Sequence, residues 1–129
     1  MYCLDTDIMI EYLRANPLVV KQMQSLNDIC ITPITILELF YGVHRSSQVE
    51  KRGKQVKELL ASVNVLSFSV SVYEQFGKIK AGLTEKGKLV DNFDLVIASF
   101  CIVNGCVLVT NNIKHFSKID GLKLENWMK

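Results

Sequence analysis

The chain has 129 residues, of which 49% are hydrophobic and two are proline, so a disordered chain is excluded and one folded domain over residues 1–129 is predicted. Its 15 Lys and Arg against 13 Asp and Glu exclude a strongly basic or strongly acidic protein. No apolar stretch reaches the ~18 residues of a membrane helix. Asp5, Asp7 and Glu11 interrupt the apolar start, so no signal peptide is expected.

The cysteines predict a reducing environment. Each lies in an apolar run, none forms a Cys-x-x-Cys pair, and the two histidines have no ligand-like spacing to them. The four are Cys3, Cys30, Cys101 and Cys106. We therefore expect buried, reduced thiols and a cytoplasmic protein, and no zinc site.

Short apolar runs alternate with longer helical patterns along the chain. Strands are predicted at residues 2–4, 29–32, 63–68, 106–109 and 122–124. Helices are predicted at residues 7–14, 17–26, 33–45, 48–62, 72–86, 92–104 and 114–116. Pro33 suits the first turn of the third helix, Ser47 could cap the fourth, and Gly105 ends the sixth.

This alternation is typical of an α/β fold with a parallel sheet and helices on both faces. The strands are apolar throughout, as expected when helices cover both faces. Ligands of such sheets bind beyond the carboxyl ends of the strands, at a topological switch point. Asp5 follows the first strand, and Thr110, Asn111 and Asn112 follow the fourth.

Four carboxylates lie in or beside apolar segments: Asp5, Glu38, Asp91 and Asp94. A buried, unpaired carboxylate is costly, but a hard cation such as Mg²⁺ or Mn²⁺ can neutralise several together. Without these four, 9 acidic groups face 15 basic ones. A basic exterior around an acidic pocket suits a polyanionic substrate, although an ordinary solvated surface explains the same charge.

Each candidate also has a structural explanation, which for Glu38 is a glutamate on the surface of a helix. Asp5 could cap the following helix, as could Asp7, and an acidic first turn at Asp91 and Asp94 suits the helix dipole. Glu38 lies in a helix that is apolar nearly all round, so it is not expected to be simply solvated. Asp94 is expected to lie deeper than Asp91.

Basic residues recur from position 45 to position 57, with Glu50 as the acid among them. They are a solvated helix face or a strip that contacts phosphate groups. The candidates for contact with the phosphates of a nucleic acid are Arg45, Arg52 and Lys54.

Four short motifs together resemble PIN-domain nucleases, and most closely the VapC-type toxins of prokaryotic toxin–antitoxin modules. In chain order they are Leu4-Asp5-Thr6, Thr35-Ile36-Leu37-Glu38-Leu39, Asp94-Leu95-Val96-Ile97-Ala98 and Val109-Thr110-Asn111-Asn112, with His115-Phe116 following. The resemblance implies a three-layer α/β/α sandwich with a central parallel sheet. It also implies a Mg²⁺- or Mn²⁺-dependent endoribonuclease, a homodimer and inhibition by a small antitoxin.

The resemblance assigns Asp5, Glu38 and Asp94 to the family's core acid positions, and a fourth position, often Asp, falls on Asn112. Asp91 could supply the missing charge as a further metal ligand. The implied reaction is metal-assisted hydrolysis of an RNA phosphodiester. Thr6, Thr110 and Asn112 would position the attacking water or the phosphate. No histidine is needed as a base, and both histidines are expected outside the acid cluster.

Three alternative functions draw on the same residues. A response-regulator receiver needs a phosphate-accepting Asp at the end of its third strand. It is rejected because the predicted third strand, residues 63–68, ends in Ser67-Phe68-Ser69. Leu4-Asp5-Thr6-Asp7 also resembles the first motif of dehalogenase-type phosphatases, in which the first Asp is a nucleophile. A non-catalytic PIN-like RNA-binding module stays open, because binding needs no complete set of acids.

Overall fold

The computed structural model describes residues 1–128, so Lys129, the last residue of the predicted domain, lies outside the described residues. The sheet has five strands, all parallel, in the order β3-β2-β1-β4-β5. They are β1 (Tyr2–Leu4), β2 (Ile29–Ile31), β3 (Asn64–Val65), β4 (Val107–Val109) and β5 (Lys123–Glu125). In register, Cys3 lies opposite Cys30 on one side and Leu108 on the other.

Seven helices connect and cover the strands. They are α1 (Thr6–Leu13), α2 (Pro17–Ser25), α3 (Pro33–Arg45), α4 (Val49–Leu60), α5 (Val70–Glu85), α6 (Asn92–Asn104) and α7 (Ile113–Phe116). The predicted bounds of the third and sixth helices are confirmed. Thr32 caps α3 by accepting from the backbone N–H of Thr35, and Gly105 ends α6 with a φ of 65°.

The predicted cap at Ser47 is wrong. The residue before α4 is Gln48, and its side chain makes no capping hydrogen bond. Ser46 instead donates its hydroxyl to the carbonyl of Val43 at 2.7 Å and accepts from the Gln48 N–H at 3.3 Å. This serine therefore ends α3 and turns the chain into α4.

The expectation of apolar strands throughout the sheet holds in the centre and is wrong at the edges. Both residues of β3 are exposed, as are Lys123 and Glu125 of β5. The third strand is limited to Asn64–Val65, and the last one lies one residue later than predicted. An edge strand has one neighbour and less helical cover, so polar side chains cost little there.

Two apolar cores, one on each face of the sheet, make the molecule an α/β/α sandwich. One contains residues of α1 to α4 with Trp127, and the other contains residues of α5, α6 and α7. The predicted free, buried thiols are confirmed: all four cysteines lie in the second core. Burial, as the main cause, raises the pKa of Cys106 to about 12.

None of the helices in residues 1–128 combines the length and the hydropathy that a bilayer span requires.

Candidate active site

The strand order creates a switch point between β1 and β4. The chain starts in the middle of the sheet, builds β2 and β3 on one side, and then returns to build β4 and β5 on the other. Asp5 follows β1 and Thr110 follows β4, and the Thr110 hydroxyl donates to Asp5 Oδ2 at 2.8 Å. The two residues predicted at the ends of these strands are thus in direct contact.

Asp5 is a buried carboxylate that accepts hydrogen bonds from uncharged groups. It is 8% exposed, and its Oδ1 accepts from the backbone N–H of Thr6 at 2.8 Å, so Asp5 also caps α1. Burial, followed by repulsion from Asp7, raises its pKa to about 7. The hydrogen bonds from Thr110 and Thr6 oppose this increase, and the charge of Asp94 adds to it. The site around Asp5 is therefore short of positive charge.

Asp7 is a second acid near Asp5. From the sequence it was predicted to serve only as a possible helix cap. Its Oδ2 accepts from the backbone N–H of Asn111 at 3.0 Å. Its Oδ1 is buried, and within residues 1–128 it has no hydrogen-bond partner. Burial is the main cause that raises the pKa of Asp7. The sequence showed an acid two residues after Asp5, but the contact between Asp7 and Asn111 is made only by the fold.

Glu38 is half-buried on α3 and is held by a residue of α1. The Thr6 hydroxyl donates to Glu38 Oε1 and lies 3.4 Å from the Thr35 hydroxyl. The expectation that Glu38 is not simply solvated is confirmed. Two apolar side chains of the same helix are exposed, since Leu37 is 58% exposed and Tyr41 is 66% exposed.

Asp94 lies in the first turn of α6 and pairs with a histidine. His115 Nε2 is 2.8 Å from Asp94 Oδ2, and both side chains are partly buried. Burial raises the pKa of Asp94, the charge of His115 lowers it, and the charge of Asp91 raises it further. Asp91 precedes α6, is exposed and makes no side-chain capping bond. Asp94 is therefore the deeper of the two, as expected.

The expectation that both histidines lie outside the acid cluster is wrong. His44 is exposed on α3, but His115 contacts Asp94. The short helix α7 is separated from β4 by three residues and carries His115 to the first turn of α6. The motif was visible in the sequence as His115-Phe116 after Asn112, but the spacing carried no information on its distance from Asp94.

The three residues predicted to position water or phosphate divide into two groups. The hydroxyls of Thr6 and Thr110 donate to Glu38 and Asp5, so these threonines hold carboxylates directly. Asn112 donates its backbone N–H to the Thr110 hydroxyl at 3.0 Å and has an exposed side chain. Of the three, Asn112 is the one whose side chain is available at the rim.

Carboxylate oxygens such as those of Asp5, Asp7, Glu38 and Asp94 suit a hard cation, although these side chains are not gathered around one point. Within residues 1–128, no three His, Cys, Asp or Glu side chains form a group that could hold a metal ion as they stand. The charge of Asp7 nevertheless raises the pKa values of Asp5 and Asp94, and Asp7 Oδ1 is buried without a partner in the same range. A buried carboxylate oxygen without a partner, next to other carboxylates, is a set of oxygen donors that suits a hard cation.

The three predicted RNA-binding residues lie at different places. Arg52 of α4 lines a groove of about 280 Å³ that also contains Glu38. Lys54 lines a separate cleft between α3 and α4. Arg45 donates to the Tyr41 hydroxyl at 3.0 Å, with its guanidinium 5.8 Å from the centre of that ring. The groove also contains Arg14, the residue after α1, which was not predicted from the sequence.

Comparison with known proteins identifies the family. The PIN domain model matches residues 2–122. The chain belongs to the PIN-domain family. This PIN domain is 33% identical to ribonuclease VapC2 of Haemophilus influenzae, over 98% of each chain. It is 31% identical to the tRNA(fMet)-specific endonuclease VapC of Shigella flexneri, over 98% of this chain and 97% of that protein.

The fold of this PIN domain is similar to that of a solved toxin–antitoxin complex. The structure of VapBC2 from Rickettsia felis, bound to a DNA fragment from their promoter, matches with a TM-score of 0.91 and 33% identity over 98% of each chain. The resemblance to VapC-type toxins and the predicted three-layer sandwich are both confirmed.

Proposed function

We propose that this PIN domain is a metal-dependent endoribonuclease toxin that hydrolyses RNA phosphodiester bonds and is restrained by an antitoxin. The observation that carries the proposal is the cluster of Asp5, Asp7 and Asp94 at the switch point, where each carboxylate has a raised pKa. The names of the VapC relatives support ribonuclease activity. The four free thiols suit a reducing cytoplasm, where cellular RNA is found.

Asp5, Glu38 and Asp94 would hold Mg²⁺ or Mn²⁺, with Asp7 beside Asp5 and Asp91 at the rim. Once bound, such an ion supplies positive charge that offsets the charge developing on the phosphate and makes water a better nucleophile. Asp7 was not among the ligands proposed from the sequence. Its unpartnered, buried Oδ1 within residues 1–128 supports including it.

The protein's own residues fix the carboxylates before substrate arrives. Thr110 holds Asp5 Oδ2, the Asn111 N–H holds Asp7 Oδ2, and Thr6 holds Glu38 Oε1. Fixed donors of this kind lower the reorganisation needed during reaction. We assign Asn112 to the substrate phosphate or the attacking water, because its side chain is exposed beside Thr110.

The experiment that tests this function is cleavage of purified transfer RNA and ribosomal RNA with Mg²⁺ or Mn²⁺. We expect fragments that disappear with excess chelator and return when the ion is restored. Asp94→Asn is the matched variant and should give no fragments. Binding of RNA without cleavage at any ion concentration would instead establish the non-catalytic RNA-binding module.

We also propose that the basic strip contributes sequence-independent affinity for RNA, with Arg52 as its member nearest to Glu38. Arg52→Glu with Lys54→Glu should weaken RNA binding and reduce the salt dependence of log Kd by about one unit for each phosphate group that the variant no longer neutralises. Fluorescence anisotropy at several salt concentrations measures both effects.

Glu50→Lys is a control of the opposite sign in the same binding experiment. It adds positive charge to the helix that carries Arg52 and Lys54, so it should strengthen RNA binding. An unchanged salt slope in the double variant would leave Arg52 and Lys54 as a solvated helix face. The affinity of the double variant for Mn²⁺ should stay near the wild-type value, because neither residue belongs to the acid cluster.

The antitoxin is proposed to lie along the groove that runs between α1, α3 and α4. Its floor is apolar, and its charged residues are Glu38, Arg14 and Arg52. A peptide with apolar residues could cover this floor, and a basic side chain of the peptide could reach the acid cluster in place of the ion. If a short reading frame immediately upstream encodes a small protein, loss of RNA cleavage on adding that protein would support this assignment, and unaffected cleavage would contradict it.

A homodimer is proposed from an exposed aromatic patch at the start of α5. Phe68, Val70 and Tyr73 are exposed, and the rings of Phe68 and Tyr73 stack at 5.9 Å. Phe68 also packs on the buried Phe100 of α6, at 4.9 Å between ring centres. Contiguous apolar surface of this kind marks interaction sites. Light scattering should return the mass of two chains, and the mass of one chain would refute the dimer.

A further inference from the structure

One short segment supplies a donor to three separate acids of the cluster. Residues 110–115 contribute the Thr110 hydroxyl to Asp5, the Asn111 N–H to Asp7 and the His115 ring to Asp94. The first two donors are a short side chain and the backbone, which lie close to the end of β4. The third is a long side chain from α7, and it reaches an acid on a different helix.

His115 stands on a rigid turn. The carbonyl of Asn112 accepts from the N–H groups of His115 and Phe116 at 3.1 and 3.2 Å. Phe116 is buried in the core that contains α5 and α6, and its ring meets the His115 ring edge-on at 5.9 Å. The orientation of the imidazole is therefore determined by packing as well as by its bond to Asp94.

We propose that His115 is a positioning residue of the acid site: its Nε2–H holds Asp94 Oδ2, which would leave Oδ1 available to the proposed ion. This inference rests on the proposed metal-dependent function. Hydrogen bonds to a ligating carboxylate orient it, and their loss typically weakens metal binding by about 10- to 100-fold.

The role needs an N–H at Nε2 and no particular charge on the ring. Both the protonated imidazole and its neutral Nε2–H tautomer supply that donor. A 2.8 Å contact commits Nε2 to Asp94, so this nitrogen is not free to take a proton from water.

The test is calorimetric titration of Mn²⁺ into the RNA-free protein. His115→Ala removes the donor and should raise the Kd roughly tenfold or more. His115→Gln keeps an amide N–H of similar reach and should restore most of the affinity. His44→Ala is the matched control, because His44 is exposed on α3, and it should bind like the wild type. Circular dichroism of each metal-free variant checks that the fold is retained.

The outcomes separate this inference from the function on which it rests. Equal affinity in the wild type and His115→Ala would overturn the positioning role while leaving the metal site intact. Equal weakening in His115→Ala and His115→Gln would also overturn it, because the donor would then not be what matters. Absence of Mn²⁺ binding in the wild type would overturn the metal-dependent function itself, and the role of His115 with it.

Discussion

Asp5→Asn is expected to lower kcat/KM for RNA cleavage by about a thousandfold, because the proposed ion contributes several kcal/mol to the transition state. The same change should stabilise the metal-free protein at pH 8. Burial and the charge of Asp7 raise the pKa of Asp5 from 3.8 to about 7, so the ionised form is disfavoured in the folded state. Asparagine has the same shape without that charge.

The sign of the pH dependence follows from the direction of this shift. A folded state with the higher pKa binds the proton more tightly than the unfolded state, so the contribution of Asp5 to stability falls as the pH rises from 3.8 to about 7. The stability advantage of Asp5→Asn over the wild type should therefore be small near pH 4. It should grow to a few kcal/mol at pH 8.

Urea unfolding in chelator at pH 4.5 and pH 8 measures this advantage, and a cleavage assay measures the activity. Asp120→Asn is the matched control, since Asp120 is 91% exposed and should change neither the activity nor the stability by more than about 0.5 kcal/mol. A variant that cleaves RNA at the wild-type rate would remove Asp5 from the active site. A variant less stable than the wild type at pH 8 would mean that capping of α1 outweighs the cost of the buried charge.

Addition of Mg²⁺ or Mn²⁺ is expected to produce the second large effect, a rise in melting temperature. An ion that binds only the folded state stabilises it by about 2.7 kcal/mol at a hundred times its Kd. For a domain of this size that corresponds to an increase in Tm of roughly 10 °C. The reason is that the ion would supply positive charge beside Asp5 and Asp94, whose pKa values are raised first by burial and also by the charge of neighbouring acids.

Differential scanning calorimetry at pH 7.5, with NaCl at matched ionic strength as the control, measures this rise. The response should be much smaller in Asp5→Asn. An equal rise in NaCl would mean general screening of surface charge, and no rise at millimolar ion would refute the metal site.

The sequence by itself determined the local elements and the residues that are candidates for the site. The start of α3 follows from Pro33 in its first turn, and the end of α6 follows from Gly105, whose φ of 65° suits glycine. Hydrogen bonds between residues a few positions apart decide such boundaries, so a linear pattern contains them. The candidate acids could also be found from the sequence, because each lies in or beside an apolar segment, where burial of a carboxylate is costly.

The tertiary structure alone decided which of these residues meet. The strand order places Thr110 against Asp5, which lies 105 positions earlier, and brings Asn111 against Asp7. It also joins His115 to Asp94, against the expectation from the sequence. Contacts of this kind depend on which strands become neighbours, and no residue spacing records that choice.

The same distinction explains the edge strands and the basic strip. The apolar pattern correctly predicted a parallel sheet, but cover by helices differs between its centre and its edges, so β3 and two of the three residues of β5 are exposed. Arg52 and Lys54 are two residues apart, yet they line different clefts. Positions two apart on a helix point in different directions, and only the packing of α4 on α3 decides which of them lies beside Glu38.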